Sequence, residues 1–256
     1  MRKPQQQPLI CLLALVLVLW AGTALAVQNQ AAAAVGDDGA LVNYLKGNAS
    51  VARGKLPPQR LSVGDPLVAG DRVITGSGAR IELRLADGSF LRFDERTTFE
   101  LTTAMVDQKE KNRDISINVV LGKTWARVSR LFGRRGRFEL STPTAVAGVR
   151  GTTYRMNVND DTSAVVKVYD GEVAVSKRKE AAAAAAAPPI LSKPTPVQGP
   201  HPVSMEEWVY LVGALQQINI NPDGTATKPF RFDIAEDLNE WVQWNKLRDQ
   251  AVEKAP

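Results

Sequence analysis

Residue types that carry chemistry are few in this 256-residue chain, and their spacing does not favour catalysis. Asp87, Asp94 and Glu95 come nearest to a carboxylate pair. A general acid and base need opposed geometry and shifted proton affinities. Carboxylates beside an Asp87-Gly88 turn and in the strand that returns from it read instead as turn and rim residues. The single histidine, His201, lies between Pro200 and Pro202, and no His or Cys cluster completes a metal shell around it. The single cysteine, Cys11, sits near the start of an N-terminal apolar run, whereas a lipid-attachment cysteine follows such a run. A chain cut after that run keeps no thiol, which closes off disulfides and thiolate metal sites. The expectation is a protein that is not an enzyme and holds no metal or cofactor.

The charge balance is 32 basic against 27 acidic residues, net +5. Loss of Arg2 and Lys3 with a leader would leave 30 against 27, or +3. That is too mild for a nucleic-acid binder, and no basic helix interleaved with aromatics is present. The local cluster Gly133-Arg-Arg-Gly-Arg137 reads as a solvated loop.

At the N-terminus, Met1-Arg-Lys precedes the apolar run Leu9 to Ala21, and Ala24-Leu-Ala26 offers a cleavage site before Val27. This is the layout of a secretory signal peptide over residues 1–26. The alternative is an uncleaved anchor, Leu9 to Val27, interrupted by Gly22 and Thr23. Either way the remainder is expected outside the cytoplasm, because the positive charge precedes the apolar run. Residues 27–40 form a low-complexity spacer.

From 41 to 178 the pattern is all-β. Leu41 to Ala52 reads as a strand, residues 54–59 as a loop, and Gly64-Asp65 and Gly70-Asp71 as tight turns around brief strands. Ile81, Leu83 and Leu85 alternate with outward Arg80, Glu82 and Arg84, and Leu91 and Phe93 return the chain. Met105 to Arg113 reads as a charged loop. Ile115, Ile117 and Val119 form the next strand, and Leu121-Gly122 is expected to turn it into Lys123 to Arg130 with Trp125 as its large apolar anchor. Short strands with turn signals every 8–12 residues indicate an all-β domain.

The most distinctive stretch is Ser141 to Val175. It holds Thr142-Pro143-Thr144, a run of small residues and Arg150-Gly151-Thr152. The alternating strand Tyr154, Met156, Val158 against Arg155, Asn157, Asn159 follows. Val166 to Val175 then reads as strand, Asp170-Gly171 turn, strand. Gly148 and Gly151 mark a sharp bend or a close approach of backbones. Arg150 offers either a fork for a carboxylate or partner or, the preferred reading, a guanidinium that ties neighbouring turns through backbone carbonyls.

Ser141 to Val175 resembles the hallmark of the FecR domain, and Val63 to Thr75 and Leu85 to Leu91 resemble the family in the expected order. The resemblance covers about residues 45–178. It implies a compact irregular β-solenoid or sandwich-like fold of short strands. It also marks Thr142, Pro143, Thr144, Arg150, Gly151, Thr152, Asp170 and Gly171 as family-motif residues, structural or partner-binding.

Residues 179–203 read as an Ala/Pro-rich linker, and residues 204–256 as a C-terminal helical region. Ser204 to Glu207 has the spacing of a capping box. Trp208, Leu211, Val212, Leu215 and Ile218 predict a helix over 205–217, and Leu238, Trp241, Trp244 and Leu247 a second over 235–252. Such helices are barely stable alone, so they are expected to dock on the β domain. Left undocked, Trp208, Trp241 and Trp244 would form a partner surface.

FecR regulators control a sigma factor from a cytoplasmic N-terminal segment, cross the membrane once and sense a loaded receptor in the periplasm. Only eight residues precede the apolar run here, so the resemblance implies the exported β module alone. Two readings follow. One is a periplasmic or secreted module that binds another envelope protein or polymer. The other is a membrane-anchored sensory component with an uncleaved N-terminal helix.

Overall fold

The computed structural model describes residues 39–130, 136–178 and 209–253. The signal peptide, the spacer up to Asp38, the linker, Ser204 to Glu207 and Trp208 lie outside these residues, whereas Ala40, expected to end the spacer, already begins the first strand. The described residues fall within one compact unit.

Among the described residues, alternation of apolar and polar residues builds seventeen strands. They are β1 Ala40–Lys46, β2 Ala49–Ala52, β3 Gln59–Arg60, β4 Pro66–Leu67, β5 Arg72–Thr75, β6 Arg80–Leu85, β7 Phe90–Phe93, β8 Thr98–Asp107 and β9 Asn112–Arg127. There follow β10 Arg137–Ser141, β11 Ala145–Val149, β12 Thr153–Val158, β13 Ala164–Asp170, β14 Glu172–Lys177, β15 Val209–Gly213, β16 Gln216–Ile220 and β17 Phe230–Arg231. Two helices end the described residues, α1 Ile234–Asp237 and α2 Glu240–Glu253.

The strands form two open sheets. Sheet A runs β3-β2-β5-β8-β9-β10-β11-β14-β15. Sheet B runs β4-β1-β6-β7-β9-β12-β13-β16-β17. All pairs are antiparallel except β9 with β10. The chain passes repeatedly from one sheet to the other, so successive short strands stack as layers. The inner faces make one core, with Leu83, Leu91, Ala126, Tyr154 and Val168 across sheet B facing Leu101, Ile117, Leu140, Ala147 and Val175 across sheet A. The fold is therefore mainly β and sandwich-like, as expected.

Several local expectations are corrected. The charged loop is only residues 108–111, because Met105 to Asp107 end β8 and Asn112 and Arg113 begin β9. Leu121-Gly122 is not a turn. β9 runs straight through it for 16 residues, pairing with β8 and β10 in sheet A up to Leu121 and with β7 and β12 in sheet B from Gly122. Gly122 makes the passage possible, with φ +104° and a packing so close that a Cβ would lie 2.6 Å from Thr97 Cα. Asp170-Gly171 is likewise a crossing between sheets and not a hairpin, since β13 pairs in sheet B and β14 in sheet A.

The expected helix over 205–217 is replaced, from Val209 on, by β15 and β16. Leu211, Val212 and Ile218 fit a helical period, but Val209-Tyr-Leu-Val212 is equally a β-branched and aromatic run. The open edges of β14 and β13 decide the matter, because β15 and β16 complete their ladders. The second expected helix is present, divided into α1 and α2 at Leu238 and Asn239. Asp233 Oδ1 accepts from Ala235 N at 2.7 Å and Asn239 Oδ1 from Val242 N at 3.1 Å, capping the two.

Candidate functional site

The outer faces of the two sheets are treated differently. Sheet A leaves Ile74, Met105, Val209 and Leu211 exposed. Sheet B is crossed by the segment that carries α1 and α2. Beneath it lies one cross-strand row in register: Tyr44, Glu82, Arg92, Trp125, Arg155, Lys167 and Gln217, from β1, β6, β7, β9, β12, β13 and β16. Period-two alternation sends these side chains outward, and the helical segment then covers them. Glu82 is 1% exposed, Arg92 0% and Arg155 6%.

The row is an electrostatic trough. Arg92 Nε donates to Glu82 at 2.5 Å and Arg92 Nη1 to Asp249 of α2 at 2.6 Å. Arg248 of α2 donates twice to Glu82, both at 2.8 Å. Trp125 Nε1 donates to the other oxygen of Asp249 at 2.9 Å. At the far end, Asp237 of α1 pairs with Arg155 and accepts from Lys167 at 2.8 Å and from the Tyr169 hydroxyl. Two exposed pairs flank these, Glu240 with Arg80 and Glu253 with Arg127.

Proton affinities follow from this packing. Burial pushes the Glu82 carboxyl up, but hydrogen bonds from Arg248 and Arg92 outweigh it and hold the pKa down to about 2. Burial also opposes ionisation of Asp237, and Arg155, Lys167 and Tyr169 overcome it, leaving its pKa lowered. For Asp249 burial dominates and raises the pKa despite Arg92. Burial likewise raises the Tyr169 phenol.

Aromatic groups complete the contact. Trp241 and Trp244 stack with centroids 5.4 Å apart, and the Arg80 guanidinium lies over both. Trp241, Val242 and Trp125 form a small apolar cluster of their own. The two described tryptophans of the expected partner surface are therefore turned into the molecule, Trp241 at 3% exposure and Trp244 half-buried. Leu238 and Leu247, expected on the same apolar face, are exposed at 44% and 66%. Asn245, Arg248 and Asp249 take the inward positions, because the surface they meet is charged. Beside the start of α2, helix and sheet leave a cleft of about 340 Å³ lined by Arg80, Asp94, Lys123, Glu240 and Trp241 among others.

The motif residues lie elsewhere, at turns and sheet crossings. Thr142 Oγ1 accepts from Ala145 N at 2.9 Å and Thr144 N at 3.2 Å, closing the turn around exposed Pro143. Thr144 Oγ1 donates to Thr162 O at 3.3 Å. Gly151 has φ +60°, and a Cβ there would collide with Arg130 Cγ. Thr152 Oγ1 donates to Glu172 O at 2.9 Å. Arg150 is exposed, and its carbonyl also accepts from Thr152 Oγ1. A tie of the kind expected of Arg150 is made by Arg130, whose Nε donates to Gly151 O at 3.0 Å and which pairs with Asp170. Gly171 approaches Thr152 across the same corner.

The three carboxylates considered for chemistry are dispersed among separate partners. Asp87 accepts from Ser89 and Arg113, Asp94 pairs with Arg80 and Lys123, and Glu95 accepts from Gly78 N. Among the described residues no group of three or more His, Cys, Asp or Glu side chains is placed to hold a metal.

Residues 71–174 match the family described as FecR protein. The matched stretch contains Glu82, Arg92, Trp125, Arg155 and Lys167 of the trough, whereas α1 and α2 lie beyond it. No curated protein matches the chain at a significant level. Two crystal structures of a "putative anti-sigma factor" from Parabacteroides distasonis ATCC 8503 are similar at 16% identity and a TM-score of 0.43. The similarity covers 63% of this chain and 60% of that one, so less than two thirds of the solved protein is spanned. It is the stretch from just before β5 into β14 that matches a FecR domain.

Proposed function

We propose that this protein is an exported, non-enzymatic FecR-domain module of the cell envelope, periplasmic or secreted, which takes part in signalling by binding another protein. One observation carries this reading. The outward row of sheet B recognises a polypeptide segment through its side chains, with Arg92 and Arg155 each gripping a carboxylate of that segment. The family match supports a signalling-related role. The charged N-terminus, apolar run and Ala24-Leu-Ala26 support export.

The test is made on protein from its own host, with a photo-crosslinking residue at Ser116 on the outer face of sheet A and, separately, at Lys167. A mature chain that starts near Val27, fractionates with the periplasm or medium, and crosslinks reproducibly to an envelope protein is the expected result. A full-length chain in the cytosol overturns the reading. An intact Met1 in the membrane fraction replaces it with a membrane-anchored sensory component.

A further inference from the structure

Three properties set the segment 233–253 apart from the sandwich it covers. The first is energetic independence. The main core lies between the two sheets, and Trp125, Trp241 and Val242 form a cluster separate from it. Lifting the segment exposes a charged face and leaves the sandwich core closed. Local opening of such a unit costs less than global unfolding.

The second is charge complementarity. With the segment set aside, the face offers Arg80, Arg92, Arg127, Arg155 and Lys167 against Glu82 and Asp94. The segment answers with Asp237, Glu240, Asp249 and Glu253, which meet arginines on four different strands. The third is an incomplete fit. On the sheet side, Arg92 Nη2 is buried without an acceptor. An occupant with a further carboxylate or carbonyl at that depth would satisfy what the segment leaves unmet.

We propose that residues 233–253 are a built-in occupant of a helix-binding trough on sheet B, and that a partner protein enters the same trough with an acidic, tryptophan-bearing helix that displaces them. This rests on the binding reading above and names the partner's chemistry. Glu82, Arg92, Trp125, Arg155 and Lys167 of the trough lie in the family-matched stretch, and the occupant lies outside it. A tethered occupant competes at an effective concentration of about a millimolar. A partner therefore binds only as far as it exceeds that, and any loosening of the strap raises its apparent affinity by the fraction of open chain.

The probe is a fluorescein-labelled synthetic peptide of residues 232–253, titrated into the full chain and followed by anisotropy and amide exchange. The expected result is weak binding to the unaltered chain and at least about tenfold tighter binding to Asp237→Asn/Asp249→Asn. Binding should remove protection from α2 and leave that of β9 intact. The same peptide carrying both substitutions should bind neither chain. If the double variant does not fold, Glu240→Lys/Glu253→Lys alters the two exposed pairs instead and should tighten peptide binding in the same direction. Equal binding to original and loosened chains, no binding to either, or α2 exchanging only together with β9 overturns the proposal. So does sedimentation of the loosened chain as a strap-exchanged dimer, which would make a second copy the occupant. Any of these failures leaves the envelope crosslinking test standing, so the binding reading is judged separately.

Discussion

Glu82 shows how a residue's role changes when a distant segment arrives. Alternation along β6 turns it outward, the usual place for a solvated charge. The structure buries it under Arg248, Arg92 and Asn43. Its pKa of about 2 against an ordinary 4.5 is a stability statement. A carboxylate with a depressed folded pKa contributes stability that is complete above its unfolded pKa and lost as pH falls through the folded value. The difference corresponds to on the order of 3 kcal/mol. Asp237, also lowered, acts in the same direction. Asp249, raised by burial, works against them, because its protonated form favours the folded state. The expected outcome is a melting temperature that is flat at neutral pH and falls between about pH 4.5 and pH 2. Glu82→Gln should be less stable at pH 7 and show a shallower acid loss. Equal melting temperatures at pH 7 and pH 2.5 would remove Glu82 from the account. None of this was legible in sequence. The outward direction of Glu82 and Arg155 was readable from period two, but their partners lie 166 and 82 positions away.

At the scale of elements, the readable part was what local chemistry decides. The β6–β7 hairpin around Asp87-Gly88, the β12–β13 alternation and the helix over 235–252 follow from period and turn residues, and the structure contains them. The unreadable part was where the chain changes sheets, because a glycine in a hairpin turn and a glycine in a crossing look alike in sequence. Leu121-Gly122 and Asp170-Gly171 both read as turns on that ground. The difference has a measurable consequence at Gly122. A turn glycine tolerates substitution at modest cost, whereas Gly122 holds a single strand across both sheets with Thr97 packed against it. Gly122→Val combines a positive φ with backbone collision, at an expected cost above about 3 kcal/mol. That lowers the melting temperature by roughly 6–12 °C. Thermal melts of the full chain check this, and a loss of less than about 1 kcal/mol would show that β9 can part at Gly122 without disturbing either sheet.

For the whole molecule, the distribution of apolar and charged contacts sets the order of unfolding. The sandwich is bound together by β9, which belongs to both sheets in succession, and by one shared core, so it should unfold as a unit. The C-terminal segment touches that unit through three pairs with a buried partner, Asp249–Arg92, Asp237–Arg155 and Arg248–Glu82, two exposed pairs and the small Trp125–Trp241–Val242 cluster. The exposed pairs contribute little, and burial of Trp241 and Val242 adds about 2 kcal/mol each. Against that stands the entropy of ordering about twenty residues. The segment should therefore release first. Three of the tryptophans report on the contact directly, Trp125 from the sheet and Trp241 and Trp244 from α2. In a urea titration, tryptophan emission is expected to shift to the red before the β-sheet signal in the far ultraviolet is lost. High salt should widen the gap by weakening the ion pairs at the rim. Arg92→Leu, which leaves Asp249 without its paired cation and Glu82 with Arg248 alone, should move the tryptophan transition to lower urea and shift the sheet transition much less. Coincident transitions by both probes, in the original chain and in the variant, would show that the segment is an integral layer of the sandwich and not a separable cover.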